Sequence, residues 1–203
     1  MTTAEDARAG LTAANVRVAV TGAWFVGETS APAPTGPGDS LAQYRNLGYL
    51  SEDGTSRTID RSTTSLRAWQ DAAEVRVVVT ESGISYTFTL IETNRETVAL
   101  YNGLKESDIG ADGTYVVNPG RTGGRRSFVF VVFDGAYERL VWIPEGEVTE
   151  VGDQTNASGE AIGYEITIKG YPSSKIDGGT EKVFDPALAS TGDAAAKSAG
   201  KDK

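Results

Sequence analysis

The 203-residue chain contains no cysteine and no histidine, and its one methionine is Met1. Ser-His-Asp and Cys-His nucleophiles, zinc or haem held through His or Cys, and iron–sulfur clusters are therefore excluded by inventory. Disulfides are excluded too, so stability must come from an apolar core. Positive charge is scarce: 19 Lys and Arg face 28 Asp and Glu, a formal charge of −9 at pH 7. That balance argues against a protein whose affinity rests on neutralising phosphates. Long apolar runs are missing as well. The longest, Phe128 to Phe133, has six residues, against the roughly 20 that a membrane-spanning helix needs. The first residues, MTTAEDARAG, hold no basic stretch followed by an apolar one. A soluble product of the cytosol, without export or membrane insertion, is expected.

What is present is glycine and alternation. Twenty-four glycines supply turns, and Asp-Gly, Asn-Gly, Ser-Gly and Gly-Gly pairs separate strand-like stretches. These predict strands over Val16–Val26, Val75–Thr80, Ile84–Ile91, Ser127–Phe133, Tyr137–Ile143 and Ala161–Lys169. Ile84, Tyr86, Phe88 and Leu90 alternate with Ser85, Thr87 and Thr89, and Ile162, Tyr164, Ile166 and Ile168 alternate with Gly163, Glu165, Thr167 and Lys169. Each is the signature of a half-buried strand, apolar inside and polar outside. The run FVFVVF has no polar face, so it must be covered on both sides, by its own domain or by another subunit. Phe128 and Phe130 are thereby interface candidates, with a buried central strand as the alternative.

One short helix is expected. Thr93 and Glu96 fit a capping box, Val98, Leu100, Tyr101 and Leu104 form an apolar stripe, and Asn102-Gly103 ends it. The whole reads as all-β with one short helix: a β-domain over 15–186, an N-terminal arm over 1–14 and a flexible tail over 187–203. Inside the domain, residues 27–46 carry three of the seven prolines, Pro32, Pro34 and Pro37, without periodicity. A loop of that length suggests a docking element or a solvated surface.

Only carboxylate chemistry remains for an enzyme. Asp108 with Asp112, Glu145 with Glu147 and Glu150, and Glu52 with Asp53 are the available groups. None forms a calcium-loop pattern, and Asp53-Gly54 and Asp112-Gly113 read as turns. Arg121, Arg125 and Arg126 surround Thr122-Gly123-Gly124 but lack the phosphate-loop pattern and its lysine. They read as a solvated hairpin tip, or as forks for a neighbour's carboxylates, which makes Arg125 and Arg126 interface candidates. Asn156-Ala157-Ser158 reads as a turn. No catalytic residue, metal site or cofactor is expected.

The segments LGYLSEDGTSRTIDRSTTSLRAWQD, 47–71, and VVTESGISYTFTLIETNRETVALYNG, 78–103, resemble the major tail protein of long non-contractile-tailed bacteriophages, particularly those of actinobacteria. The order carries the likeness: Gly-Tyr with Glu-Asp-Gly, then Ala-Trp-Gln, then a Thr/Phe strand ending Ile-Glu-Thr-Asn, then a helix ending Leu-Tyr-Asn-Gly. The resemblance implies a β-sandwich or barrel of the tail tube type. Its subunits form hexameric rings stacked into a hollow tube, with tape measure protein and genome in the lumen. The implied partners are further copies, the tape measure protein, the tail terminator and the distal tail or baseplate proteins, while DNA passes without specific binding.

Within that picture Trp69, Phe88 and Tyr101 are expected to be buried anchors, and Thr87, Thr89, Glu165 and Thr167 to face the lumen. A different class, a monomeric carbohydrate-binding sandwich, would instead expose Trp24, Trp69 or Trp142 as a stacking platform.

Overall fold

The computed structural model of the chain describes residues 9 and 11–189. Eight strands and one helix run in the order β1 Thr21–Gly27, β2 Arg45–Asn46, β3 Leu50–Arg67, β4 Glu74–Leu90, α1 Arg95–Tyr101, β5 Arg126–Asp134, β6 Tyr137–Val151, β7 Tyr164–Gly170 and β8 Lys182–Phe184. They form one sheet in the order β2-β1-β5-β6-β7-β4-β3, with β8 paired to β6. Every pairing is antiparallel.

The sheet folds over on itself along β6, whose residues up to Gly146 pair with β5 and whose residues from Gly146 onward pair with β7. Glycine is required at that corner because a Cβ there would lie 2.7 Å from the Phe128 ring. The two ends of the sheet consequently face each other. Trp24 of β1 stacks on Phe88 of β4 at 4.5 Å and on Phe130 of β5 at 4.7 Å. The inner core gathers Trp24, Phe88, Leu90, Phe128, Ile143, Ile166 and Ile168 around this stack. Each such side chain removed from water contributes about 1.5–3 kcal/mol.

The run FVFVVF is covered on both sides by its own chain. Phe128 and Phe130 turn to the inner core, while Val129 and Val131 join a second cluster with Leu140, Trp142, Tyr44 and Ala31. Part of the proline-bearing loop is the lid of that cluster. Tyr44 accepts from Trp142 Nε1 at 3.1 Å, contacts Ser127 Oγ at 3.2 Å, and donates to the Pro32 carbonyl at 3.1 Å. Pro34 is buried, and Pro32 and Pro37 stay exposed. Part of the loop is thus a packed cover of the subunit, which corrects the expectation of a wholly solvated surface.

Four local expectations change in the same way. Val16, Val18 and Val20 are not strand: β5 ends at Asp134, so pairing stops at Thr21↔Phe133, leaving the three valines exposed. The predicted stretches 75–80 and 84–91 are one strand, β4, and its partner β3 has no apolar period to announce it. Asp53-Gly54 is a bulge inside β3, where pairing jumps from Leu50↔Leu90 to Thr55↔Phe88 and Gly54 has φ 69°. The helix is capped by Asn94, which accepts from the Thr97 amide at 2.9 Å, while Thr93 Oγ1 pairs with Tyr164 OH at 3.0 Å. Its stop is as expected: Gly103 has φ 63°, and the Leu104 amide reaches back to Ala99 O at 2.7 Å.

Trp69 is the largest correction. It sits at the tip of the β3–β4 hairpin and is 98% exposed, because the hairpin runs past the end of β7 and no other described residue covers it.

Of the expected arms, residues 11–13 and 187–189 are exposed. Residues 1–8, 10 and 190–203 lie outside the described residues. No helix among the described residues is long and apolar enough to cross a membrane.

Candidate assembly surfaces

Three surfaces remain once the core is accounted for. The first is the outer face of the β3-β4-β7 sheet. Alternation puts Tyr86, Phe88 and Leu90 inside, so Ser85, Thr87 and Thr89 point outward. Across the β4–β7 ladder Thr87 lies opposite Thr167 and Thr89 opposite Glu165. Thr87 Oγ1 and Thr167 Oγ1 are 2.9 Å apart, and Ser56 of β3 lies beside Thr87. The Glu165 side chain extends over Gly152, where a Cβ would lie 2.7 Å from Oε1. The four residues expected to share a surface, Thr87, Thr89, Glu165 and Thr167, therefore adjoin one another on a hydroxyl- and carboxylate-bearing face.

The second surface is an arm. β7 accompanies β4 only from Leu90 to Ile84, and beyond that point β3 and β4 continue as a two-stranded ribbon to the turn at 68–73. The ribbon carries Ile59, Leu66, Val75, Val77 and Val79, all more than half exposed, with Trp69 at its tip. An isolated ribbon of this kind is marginal in water and presents a free edge along β3. A signal for it was present in the β-branched run VRVVV and in Thr55, Thr58, Ile59, Thr63 and Thr64, all strand formers. What was missing was an apolar face in β3.

The third surface is a groove of about 960 Å³ at the opposite end of the same hairpin, lined by Val18, Val20, Gly22, Tyr49, Leu50 and Phe130 among others. Its rim is predominantly acidic, with Glu52, Glu92, Asp134 and Asp185 against Arg17 and Arg139.

The remaining candidates are occupied within the subunit. Phe128 is fully buried. Arg126 is also buried and donates to the Leu104 carbonyl at 2.9 Å, so neither is available to a neighbour. Arg125 pairs with Glu145 at 2.7 Å and lies over the Tyr171 ring at 4.4 Å. Arg121 pairs with Asp108 at 3.0 Å. These contacts correct the expected tip with free forks: the segment packs against the helix end, where a Cβ on Gly103 would lie 2.1 Å from the Arg121 carbonyl. Tyr101 is half-buried, edge-on to Tyr164 at 5.4 Å, and donates to the Gly152 carbonyl at 2.6 Å.

Asp108 and Asp112 serve the fold. Asp108 accepts from the Lys105 amide, and this bond together with Arg121 holds its carboxyl below the ordinary range. Asp112 accepts from the Thr114 hydroxyl and amide, which hold it low in the same way. Among the described residues no group of three or more acidic side chains converges as a metal site would require. Trp24 and Trp142 are buried, which removes two of the three rings a carbohydrate platform would need.

A family model described as phage tail tube protein matches residues 9–177. The chain belongs to the phage tail tube proteins. It is accordingly a structural, non-enzymatic component of the virion tail. No curated protein sequence matches it. Among solved structures, a chain of the sheath–tube complex of an extracellular contractile injection system in its extended state is similar at 9% identity, covering 91% of this chain and 99% of that one, with a TM-score of 0.48. A chain from the tail of an empty gene transfer agent particle is 13% identical, with 72% and 88% covered and a TM-score of 0.37. The Hcp protein is also 13% identical, with 81% and 98% covered and a TM-score of 0.35. For a tail tube protein, a folded subunit with large uncovered surfaces is the expected condition, since assembly supplies the missing cover.

Proposed function

We propose that six copies of this chain close into a ring, and that rings stack into the tube of a long non-contractile phage tail of the actinobacteriophage type. The observation that carries this reading is the arrangement of the β3–β4 hairpin. Its uncovered tip and the groove at its root end are separated by the length of β3, on the order of 55 Å at about 3.3 Å per residue. A donor at one end and an acceptor at the other make a heterologous contact, which closes into a ring where the rotation between copies returns on itself and propagates along an axis where it does not. The occupant of the groove is the arm of a second copy. Trp69 and the arm valines are the apolar anchors, and Arg61, Arg67 and Arg76 complement the groove's acidic rim. Exposed Pro32 and Pro37 add contacts to a neighbour.

The face bearing Thr87, Thr89, Glu165 and Thr167 lines the bore. Hydroxyls keep it hydrated, and carboxylates repel DNA, which carries about one charge per 1.7 Å. Screening over about 8 Å confines that repulsion to near contact, so DNA slides without adhering. The tape measure protein fills this bore during assembly, and the tail terminator and distal tail or baseplate proteins meet the tube ends.

Electron microscopy of the concentrated purified protein tests the reading. Six-membered rings or tubes are expected. Dispersed particles of single-subunit size at all concentrations would overturn it. In assembled particles, Glu165→Lys is expected to slow genome ejection at low salt and to lose that effect at high salt. Ejection indifferent to the substitution would remove Glu165 from the bore.

A further inference from the structure

The arm is joined to the body by three side chains from three separate elements. Arg57 of β3 and Tyr86 of β4 are cross-strand partners at the arm's root. Glu181, in the stretch before β8, places its carboxylate against both. Arg57 Nη2 lies 2.5 Å from Oε1, and Tyr86 OH donates to Oε2 at 2.6 Å. The triangle closes with Arg57 Nε donating to Tyr86 OH at 3.0 Å. The Glu181 side chain is 8% exposed, although it lies in the irregular stretch before β8.

The route that brings Glu181 there is itself built in. Residues 171–184 leave β7 with the Tyr171 amide bonded to Glu145 O at 2.8 Å, and turn where Ser173 and Gly179 share a backbone hydrogen bond of 2.9 Å. They return over Gly170, where Thr180 Cγ2 occupies the space of a Cβ, 2.5 Å from its ideal position. They end in β8 against Leu140–Trp142. The segment is a strap across the end of β7, the point at which β4 loses its second neighbour.

A two-stranded ribbon twists and bends more freely than a strand inside a sheet. The Tyr86 ring is held by Trp24, edge-on at 5.3 Å, but Arg57 lies on the edge strand, and Glu181 is its one ion-pair partner among the described residues. A carboxylate accepting from a guanidinium and a phenol together is a strong, directional contact. Withdrawing it leaves a partly buried cation without its partner.

We propose that Glu181 is a positioning residue for assembly: through Arg57 and Tyr86 the strap sets the direction in which the arm leaves the body. This rests on the reading that the arm joins one copy to the next. A subunit without the latch folds, but it presents its arm over a range of angles and must order it at each docking step, at a cost to affinity.

The absence of native cysteine makes the test direct. Spin labels are attached at Gln70→Cys on the arm tip and Glu160→Cys on the body, and the label separation is measured in the unassembled subunit. The parent is expected to give one narrow distribution and Glu181→Gln a broad one. In parallel, the concentration needed for tube growth is expected to rise about tenfold, the equivalent of one decade in binding constant. A distribution as narrow as the parent's overturns the proposal, and so does a broad distribution with an unchanged growth threshold. If Glu181→Gln does not fold, Tyr86→Phe, which keeps the Arg57–Glu181 ion pair and removes both hydrogen bonds of the phenol, is judged by the same two readouts. A labelled parent that forms no rings or tubes defeats the tube reading instead, while the distance measurement still decides whether Glu181 directs the arm.

Discussion

Tyr86 and Val77 lie on one strand and pair with one partner strand, yet Tyr86 is 2% exposed and Val77 is 52% exposed. The ladder of backbone hydrogen bonds is continuous between them apart from a bulge at Ser62/Thr63. What separates the two regions is a third neighbour. Where β7 flanks β4 and Trp24, Phe88 and Phe130 stack beneath it, the hairpin is a wall of the core. Where β7 ends, the same hairpin becomes an arm whose apolar side chains touch little of their own subunit. Strand pairing satisfies the backbone, but burial depends on what lies across the face. A subunit built to polymerise uses both conditions in one element.

Substitutions that separate the two regions differ widely in their effect on the lone subunit. Trp24→Ala removes the ring at the centre of the stack and is expected to destabilise the subunit by about 3–5 kcal/mol, with a correspondingly lower midpoint in thermal unfolding. Gly146→Ala forces a methyl toward the Phe128 ring at the corner of the sheet. It should cost about 1–3 kcal/mol, read from the denaturant midpoint.

Next in size is a charge effect at the helix. Glu96 is buried beside Arg45, 2.5 Å away. Burial lifts its carboxyl above the ordinary value of 4.5, against the pull of Arg45 and with a further push from Glu106. A raised value in the folded state contributes stability that is fully present below the unfolded value and is lost as pH rises through the folded one. Glu96→Gln is therefore expected to gain stability relative to the parent at pH 7 and not at pH 4, by no more than about 1 kcal/mol given the exposure of Arg45. Parallel melts at the two pH values decide the sign.

The smallest expected change in the lone subunit comes from the arm. Trp69→Ala should leave its melting temperature unchanged, within about 0.5 kcal/mol. The same variant should lose tube growth in electron micrographs. A melt lowered as far as that of Trp24→Ala would erase the distinction between wall and arm.

Much of the body was legible because period-two alternation has a direct physical cause. Ile84 to Leu90 and Tyr164 to Ile168 each put one face in a core and one in water as their alternation predicts, but the strand expected over Ala161–Lys169 begins only at Tyr164, and Ile162, expected on its apolar face, lies outside it and is exposed. The inventory was equally direct: without His or Cys whole classes of chemistry cannot be assembled on any fold. The order of motifs from Gly48-Tyr49 to Asn102-Gly103 pointed to the tail tube family on its own. β3 was not legible, because Ser51 to Arg67 is mostly polar and its strand conformation comes from pairing with β4.

Burial of the aromatic residues required the folded chain. Trp24, Trp69 and Trp142 are the same residue type, and only the course of the sheet puts two inside and leaves one at a bare tip. The same holds for Pro34, Phe128 and Arg126, whose partners come from distant segments. Local composition and period determine which face of a strand is apolar, because those forces act between residues a few positions apart. Whether that face is covered by the chain or left for another copy depends on where β7 ends and where the strap at 171–184 returns. That is a property of long-range packing, and no local stretch of residues contains it.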